Sequence, residues 1–141
     1  MRVLFTLLLA LSLGVVWADQ TPLPPMDGIA FERLQTWLDA DDARARFYAS
    51  ISRKTQAWAR SRGRPKALVA DALAMAVALQ PDIVVRSEHR HAAVELTGAH
   101  TRGATVVDWE GRLGAAPNAH IVLDVDQARF ETLVAAALGG A

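Results

Sequence analysis

Asp71 is the residue whose type and position offer the most specific chemistry in this chain. It stands at the mouth of an apolar run, residues 72–79, that reads Ala-Leu-Ala-Met-Ala-Val-Ala-Leu. An aspartate there can cap the first turn of a helix, a role worth about 1 kcal/mol. It can also act as a hard oxygen ligand for a divalent cation. One carboxylate cannot make a calcium site, which takes roughly six to eight oxygens. The four histidines are His89, His91, His100 and His120. His89 and His91 fall two apart and share one face if the segment is extended. That spacing can bind zinc, but no third ligand has a compelling position, which favours solvated or strand-edge histidines. Asp39, Asp41 and Asp42 form an acidic cluster, most simply a helix-capping loop and otherwise a metal-binding one.

Other chemistries find no support. The chain has no cysteine, which excludes disulfides, thiolate metal sites and a cysteine nucleophile. Ser12, Ser50, Ser52, Ser61 and Ser87 lack any surrounding pattern for nucleophilic work. No Gly-rich phosphate loop, nucleophile elbow or paired-carboxylate motif is present. Lys and Arg number 15 and Asp and Glu also 15, so the charges cancel. No basic run is interleaved with aromatics, and no nucleic-acid surface is expected.

The elements that must position these residues follow from spacing. At 141 residues with 52% apolar and 21% charged side chains, the chain has material for one core and no signature of disorder. Residues 21–25 hold Pro22, Pro24 and Pro25 and read as a loop. Asp27 can cap a short helix with Phe31, Leu34 and Leu38 on one face. Asp41 or Asp42 caps a longer helix, whose apolar stripe is Phe47, Ile51 and Trp58 and whose opposite side carries Arg44, Arg53, Lys54 and Arg60. Residues 61–65 break it, with Gly63 as the stop. The run 72–79 is apolar on every side, so it predicts a helix buried all round, ended by Pro81. Strands are predicted at 83–86, 92–97, 104–109 and 120–124, with a loop at 97–103. Asp126 caps a last helix with Phe130, Leu133, Val134 and Ala137 at helical spacing.

Two segments leave questions. Residues 1–18 combine Met1-Arg2, an apolar run from Val3 to Trp17, and Ala18. They resemble a secretory signal cleaved after Ala18. They can equally be a buried helix and strand of the core, because parallel strands read as continuous apolar runs. The helix at 72–79 also needs neighbours on all sides. If 1–18 were removed, about 123 residues would remain, and a chain of that size buries only about two-thirds of its surface. The mismatch points to missing partner elements.

The order of short motifs resembles a known family. Ala70-Asp71-Ala72-Leu73-Ala74-Met75-Ala76, followed by Pro81-Asp82, is similar to the helix that opens the C-terminal part of the inosine/uridine-preferring nucleoside hydrolases. Val94-Glu95-Leu96, Thr101-Arg102-Gly103, Thr105-Val106-Val107-Asp108, Pro117-Asn118 and Val125-Asp126 with Phe130 resemble that family's closing hairpin and last helix, in order. The set covers residues 67–138. Upstream, residues 47–52 and Val15-Val16-Trp17 with the Pro-rich loop are similar to a preceding helix and core strand.

The resemblance implies an α/β fold: the C-terminal part of a nucleoside-hydrolase-like fold, mostly helices plus a β-hairpin and short strands, with an incomplete central sheet. It divides the chain into 1–18, a core or signal-like segment, and 19–141, a partial nucleoside hydrolase domain. It implies hydrolysis of the N-glycosidic bond of ribonucleosides to base and ribose, as in purine and pyrimidine salvage. Family members bind one calcium ion that orients and acidifies the attacking water. Asp71 falls among the calcium ligands. Two departures stand against activity. The family's Asp-x-Asp-x-Gly-x-Asp-Asp motif is absent, and the position before Asp71, often a proton-donating histidine, is Ala70. The implied partners are a nucleoside, no nucleic acid, and either a second copy or a complementary N-terminal half. The resemblance makes residues 13–17 a core strand and the chain cytoplasmic; the signal reading makes it a secreted or periplasmic, unrelated α/β protein.

Overall fold

The computed structural model describes residues 28–140. In chain order they form β1 (Ile29–Ala30), α1 (Phe31–Leu38), α2 (Ala43–Ser61), β2 (Lys66–Ala67), α3 (Ala70–Leu79), a 3-10 turn (Pro81–Ile83), β3 (Val84–Val94), β4 (Thr105–Asp108), β5 (Ala119–Val125) and α4 (Gln127–Ala137). They divide into a helical unit, residues 28–83 and 126–140, and a sheet unit, Val84–Val125. Mixed helices and small sheets match the expected partial α/β class. Residues 1–18, the loop at 21–25, Ser12 and the cap Asp27 lie outside the described residues.

In the helical unit β1 and β2 pair antiparallel, Ile29 opposite Ala67. Gly28 lies so close to the Ala67 carbonyl that a Cβ would collide with it, so the ribbon requires glycine there. Helix α1 buries Phe31, Leu34 and Leu38, as their spacing predicts. It starts directly from β1, with Ala30 at the N-cap and no side-chain cap. Ile29, Leu34, Ile83 and Phe130 are the largest side chains below 2% exposed.

Helix α2 has the expected ends and an unexpected orientation. Asp42 caps it by accepting from the Arg44 N–H at 2.7 Å. Gly63, at φ 67°, closes it. Arg64 N–H donates to Ala59 O and Gly63 N–H to Arg60 O, at 3.1 and 2.9 Å, the paired bonds of a Schellman turn. The stripe Phe47, Ile51 and Trp58 was expected to face a core. Instead these side chains are 65%, 59% and 48% exposed, and Ala45 and Ala59 face inward. Arg60 of the charged side lies over the Phe31 ring, 4.0 Å from its centroid. Small residues and an arginine stem pack close to α1, while the large apolar residues find no cover among the described residues.

Helix α3 also departs from expectation. It buries Ala76 and Val77, yet Met75 and Leu79 are 59% and 73% exposed. The helix is therefore covered on one side only. Helix α4 is capped by Asp126, which accepts from the Arg129 N–H at 3.0 Å. It buries Phe130 completely and half-buries Leu133 and Val134, while Ala137 is exposed. A second Schellman turn closes it through Gly139, at φ 83°.

The sheet unit has strand order β4-β3-β5, antiparallel throughout. The sequence predicted two strands, 83–86 and 92–97; one 11-residue strand runs through both. Its centre, Ser-Glu-His-Arg-His, is polar on both faces and gives no alternating apolar pattern, so the pairing on each side, not burial, makes it a strand. The β3–β4 connection is organised by Glu95, whose carboxylate accepts from Thr97 N–H and Gly98 N–H at 2.8 and 3.1 Å. These amides hold its pKa below the ordinary value. Before β5, the Asn118 side chain accepts from Ala92 N–H and donates to Ala92 O, at 2.8 and 3.0 Å. An amide side chain thus replaces one residue of backbone pairing.

Candidate metal-ligand site at the start of helix α3

Asp71 is the second residue of α3, one position inside the helix rather than at its cap. The N-cap is Val69, at φ −128° and ψ 45°, and no side chain caps the helix. The N-cap role expected for Asp71 is thereby corrected: a carboxylate inside the first turn points outward instead of back to the free amides. It still sits in the first turn, at the positive end of the helix dipole. The side chain is exposed and carries no hydrogen bond or ion pair among the described residues. Ala70 before it is half-buried as the first helical residue.

The far end of α3 is anchored. Arg129 of α4 donates to the Asp82 carboxylate at 2.7 Å and to the Asp82 carbonyl at 3.2 Å. The hydrogen bond from Arg129 holds the Asp82 carboxyl below its usual pKa. In the sequence Asp82 stands out only as part of a motif. Its partner lies 47 residues away, and nothing local in the chain signals that pairing.

The other candidates are spoken for or lie elsewhere. Asp39 accepts from Gln35, Asp41 pairs with Arg46, and Asp42 binds Arg44 while capping α2. The side-chain hydrogen bond from Arg44 lowers the Asp42 pKa to about 2. Each carboxylate of the cluster thus has its own local partner, as a capping loop requires. Ser50, Ser52 and Ser61 donate to helix carbonyls one turn back. His100 lies in the β3–β4 loop and is exposed. His89 and His91 lie on β3, and His120 on β5 stands directly opposite His89. Among the described residues no group of three or more His, Cys, Asp or Glu side chains is placed to hold a metal ion. No described helix is long and apolar enough to cross a membrane.

Comparison with known proteins agrees with the order of elements. The family model for inosine-uridine preferring nucleoside hydrolases matches residues 12–132. A non-specific ribonucleoside hydrolase, RihC, of Klebsiella pneumoniae subsp. pneumoniae is 54% identical over 39 residues, 28% of this chain and 13% of that protein. A pyrimidine-specific ribonucleoside hydrolase, RihA, of the same organism is 40% identical over 65 residues, 46% of this chain and 21% of that one. A solved inosine-guanosine nucleoside hydrolase superposes with a TM-score of 0.69 at 24% identity, over 80% of this chain and 35% of that one. The chain thus spans about a fifth or less of these two curated relatives and about a third of the solved fold.

Proposed function

This chain belongs to the inosine-uridine preferring nucleoside hydrolase family, and from that premise we propose that it carries the C-terminal portion of a nucleosidase. The reaction is hydrolysis of the N-glycosidic bond of a ribonucleoside to free base and ribose. Asp71 is one carboxylate of the metal site. The observation that carries this reading is the family match over residues 12–132, which takes in α3 with Asp71 in its first turn. Membership in the family replaces the reading as an unrelated α/β protein.

The donors present do not fit a calcium ion by themselves. Asp71 offers at most two oxygens, and calcium takes about six to eight; among the described residues no group of three or more His, Cys, Asp or Glu side chains is placed to hold a metal ion. We infer that the chain is silent alone, and that Asp71 acts only when the family's Asp-rich loop, whose motif the sequence lacks, is supplied. The exposed apolar faces of α2 and α3 support this view, since exposed apolar patches mark surfaces made for partners. The partner is the region that carries the family's Asp-rich loop, and a nucleoside is the substrate of the completed fold.

A ribose-release assay with inosine and uridine in the presence of calcium tests the proposal. The expected result is no turnover by the chain alone, and turnover once a family N-terminal region bearing Asp-x-Asp-x-Gly-x-Asp-Asp is co-expressed. Turnover by the lone chain that Asp71→Ala abolishes would overturn the claim of silence. No gain at any ratio of the two parts would overturn the claim of completion.

A further inference from the structure

The exposed face of helix α2 carries a charge pattern that its apolar residues alone do not show. Phe47, Ile51, Lys54 and Trp58 follow one another at intervals of four, three and four residues, which puts them on one stripe of a helix. Spacing thus moves Lys54 into the stripe, away from the opposite side with which its charge would group it. Phe47, Ile51 and Trp58 are exposed, and Lys54 is exposed among them. We propose that this face docks in an apolar groove of the complementary N-terminal region, with a carboxylate of that region set against Lys54 and acidic residues along the rim of the groove. The proposal rests on the reading of the chain as the C-terminal portion of a nucleosidase.

The charge on and around this helix is of one sign. Between Asp42 and Asp71 the sequence holds eight Arg and Lys residues and no Asp or Glu, more than half of the chain's 15 basic residues. Some have local partners. Asp42 holds Arg44, Asp41 holds Arg46, and Arg60 lies over Phe31. Arg62 and Arg64 lie over Trp58, 5.8 and 5.2 Å from its ring centroid. An aromatic face attracts a cation but leaves its charge uncompensated. Arg53 and Lys54 are exposed and have no ion-pair or hydrogen-bond partner among the described residues.

These features select the occupant. Covering Phe47, Ile51 and Trp58 takes Lys54 out of water with them, and a buried cation needs an opposite charge and hydrogen-bond acceptors. A carboxylate supplies both. A second copy of this chain offers none on the same face, so α2 against α2 would set cation against cation. An anionic lipid surface answers the charge, but an interfacial helix buries a continuous apolar side, and here a lysine divides it. The chain covers 35% of the solved inosine-guanosine nucleoside hydrolase, so most of that fold lies outside this chain and is available to supply the groove. Helix α3 exposes Met75 and Leu79 and contains no cation, so the charge selection belongs to α2. The apolar residues drive burial, and the paired charges fix which partner and which alignment are accepted.

The full chain is titrated with a separately produced family N-terminal region bearing Asp-x-Asp-x-Gly-x-Asp-Asp, and both the dissociation constant and the restored ribose release are read. The expected result is binding that weakens about tenfold or more as sodium chloride rises from about 0.05 to about 0.5 M. Lys54→Glu weakens it about tenfold or more at low salt and flattens the salt dependence. Lys54→Arg keeps both, and Arg86→Glu, a charge reversal on β3, changes neither. The denaturation midpoint of the lone chain is the same with Lys54→Glu, which separates a lost partner from a lost fold. Binding of the unaltered chain that ignores salt, or an equal loss from Arg86→Glu, would overturn the proposal and leave the nucleosidase reading intact. Absence of both binding and turnover at every salt concentration would overturn the two together. Two other occupants are tested on the chain alone. Self-association, or binding to phosphatidylglycerol vesicles, that Lys54→Glu abolishes would give the face to a second copy or to a membrane and overturn the proposal.

Discussion

Helix α3 has one charged side chain and is otherwise wholly apolar, while α4 mixes charge with apolar residues. Yet α4 carries the better-buried side chain: Phe130 is 0% exposed, against 59% for Met75 and 73% for Leu79. Helix α4 is also closed at both ends, by Asp126 and by the Gly139 turn, whereas no side chain caps α3. The difference teaches that local signals and surroundings are separate requirements. Helix α4 has both within the described residues. Helix α3 has the composition of a core helix and half of the surroundings. Helix α2 belongs with α3 in this respect, since its largest apolar side chains face outward.

The comparison can be broken at α4 first. Phe130→Ala removes the one large side chain that α4 buries fully and is expected to cost about 3–5 kcal/mol. Urea denaturation followed by circular dichroism measures it. A loss below about 1 kcal/mol would mean that α4 is no better supported than α3. The next effect in size is at the cap. Asp126→Ala leaves the Arg129 amide without its acceptor and is expected to cost about 1 kcal/mol, read from the same denaturation midpoint. The smallest effect belongs to α3. Leu79→Gln changes a side chain that already meets solvent, so the stability of the chain alone is expected to move by no more than about 0.5 kcal/mol. The same substitution is expected to abolish nucleosidase activity restored by a family N-terminal region, because the partner then meets a polar group it cannot satisfy. A large loss in the chain alone would show that Leu79 is already covered.

Much of the fold is legible in local sequence. Phe31, Leu34 and Leu38 announce α1, Asp42 and Gly63 bracket α2, Pro81 ends α3, and Asp126 opens α4. Each of these signals acts within a few residues, through a cap, a turn or a helical stripe. The continuity of β3 is not legible, because Glu88, His89, Arg90 and His91 offer no period of two between apolar and polar. Strand identity there comes from hydrogen bonds to β4 and β5. The direction of the α2 stripe is likewise invisible, since periodicity identifies two faces and does not say which one has a neighbour. Asp71 is legible as a residue of interest. Its place inside the first turn, with Val69 at the cap, depends on where the helix starts.

The sequence by itself determined the family, the order of the four helices, and the carboxylate in the first turn of α3. These reside in short motifs, in caps, and in periodicities shorter than one helix. Tertiary structure alone decided which apolar faces are covered, which arginine holds Asp82, and that His120 stands opposite His89. Those outcomes depend on strand register and helix packing across 31 to 47 residues of chain. Over such separations contact is set by the competition of whole elements for burial and pairing, and no local spacing records its result.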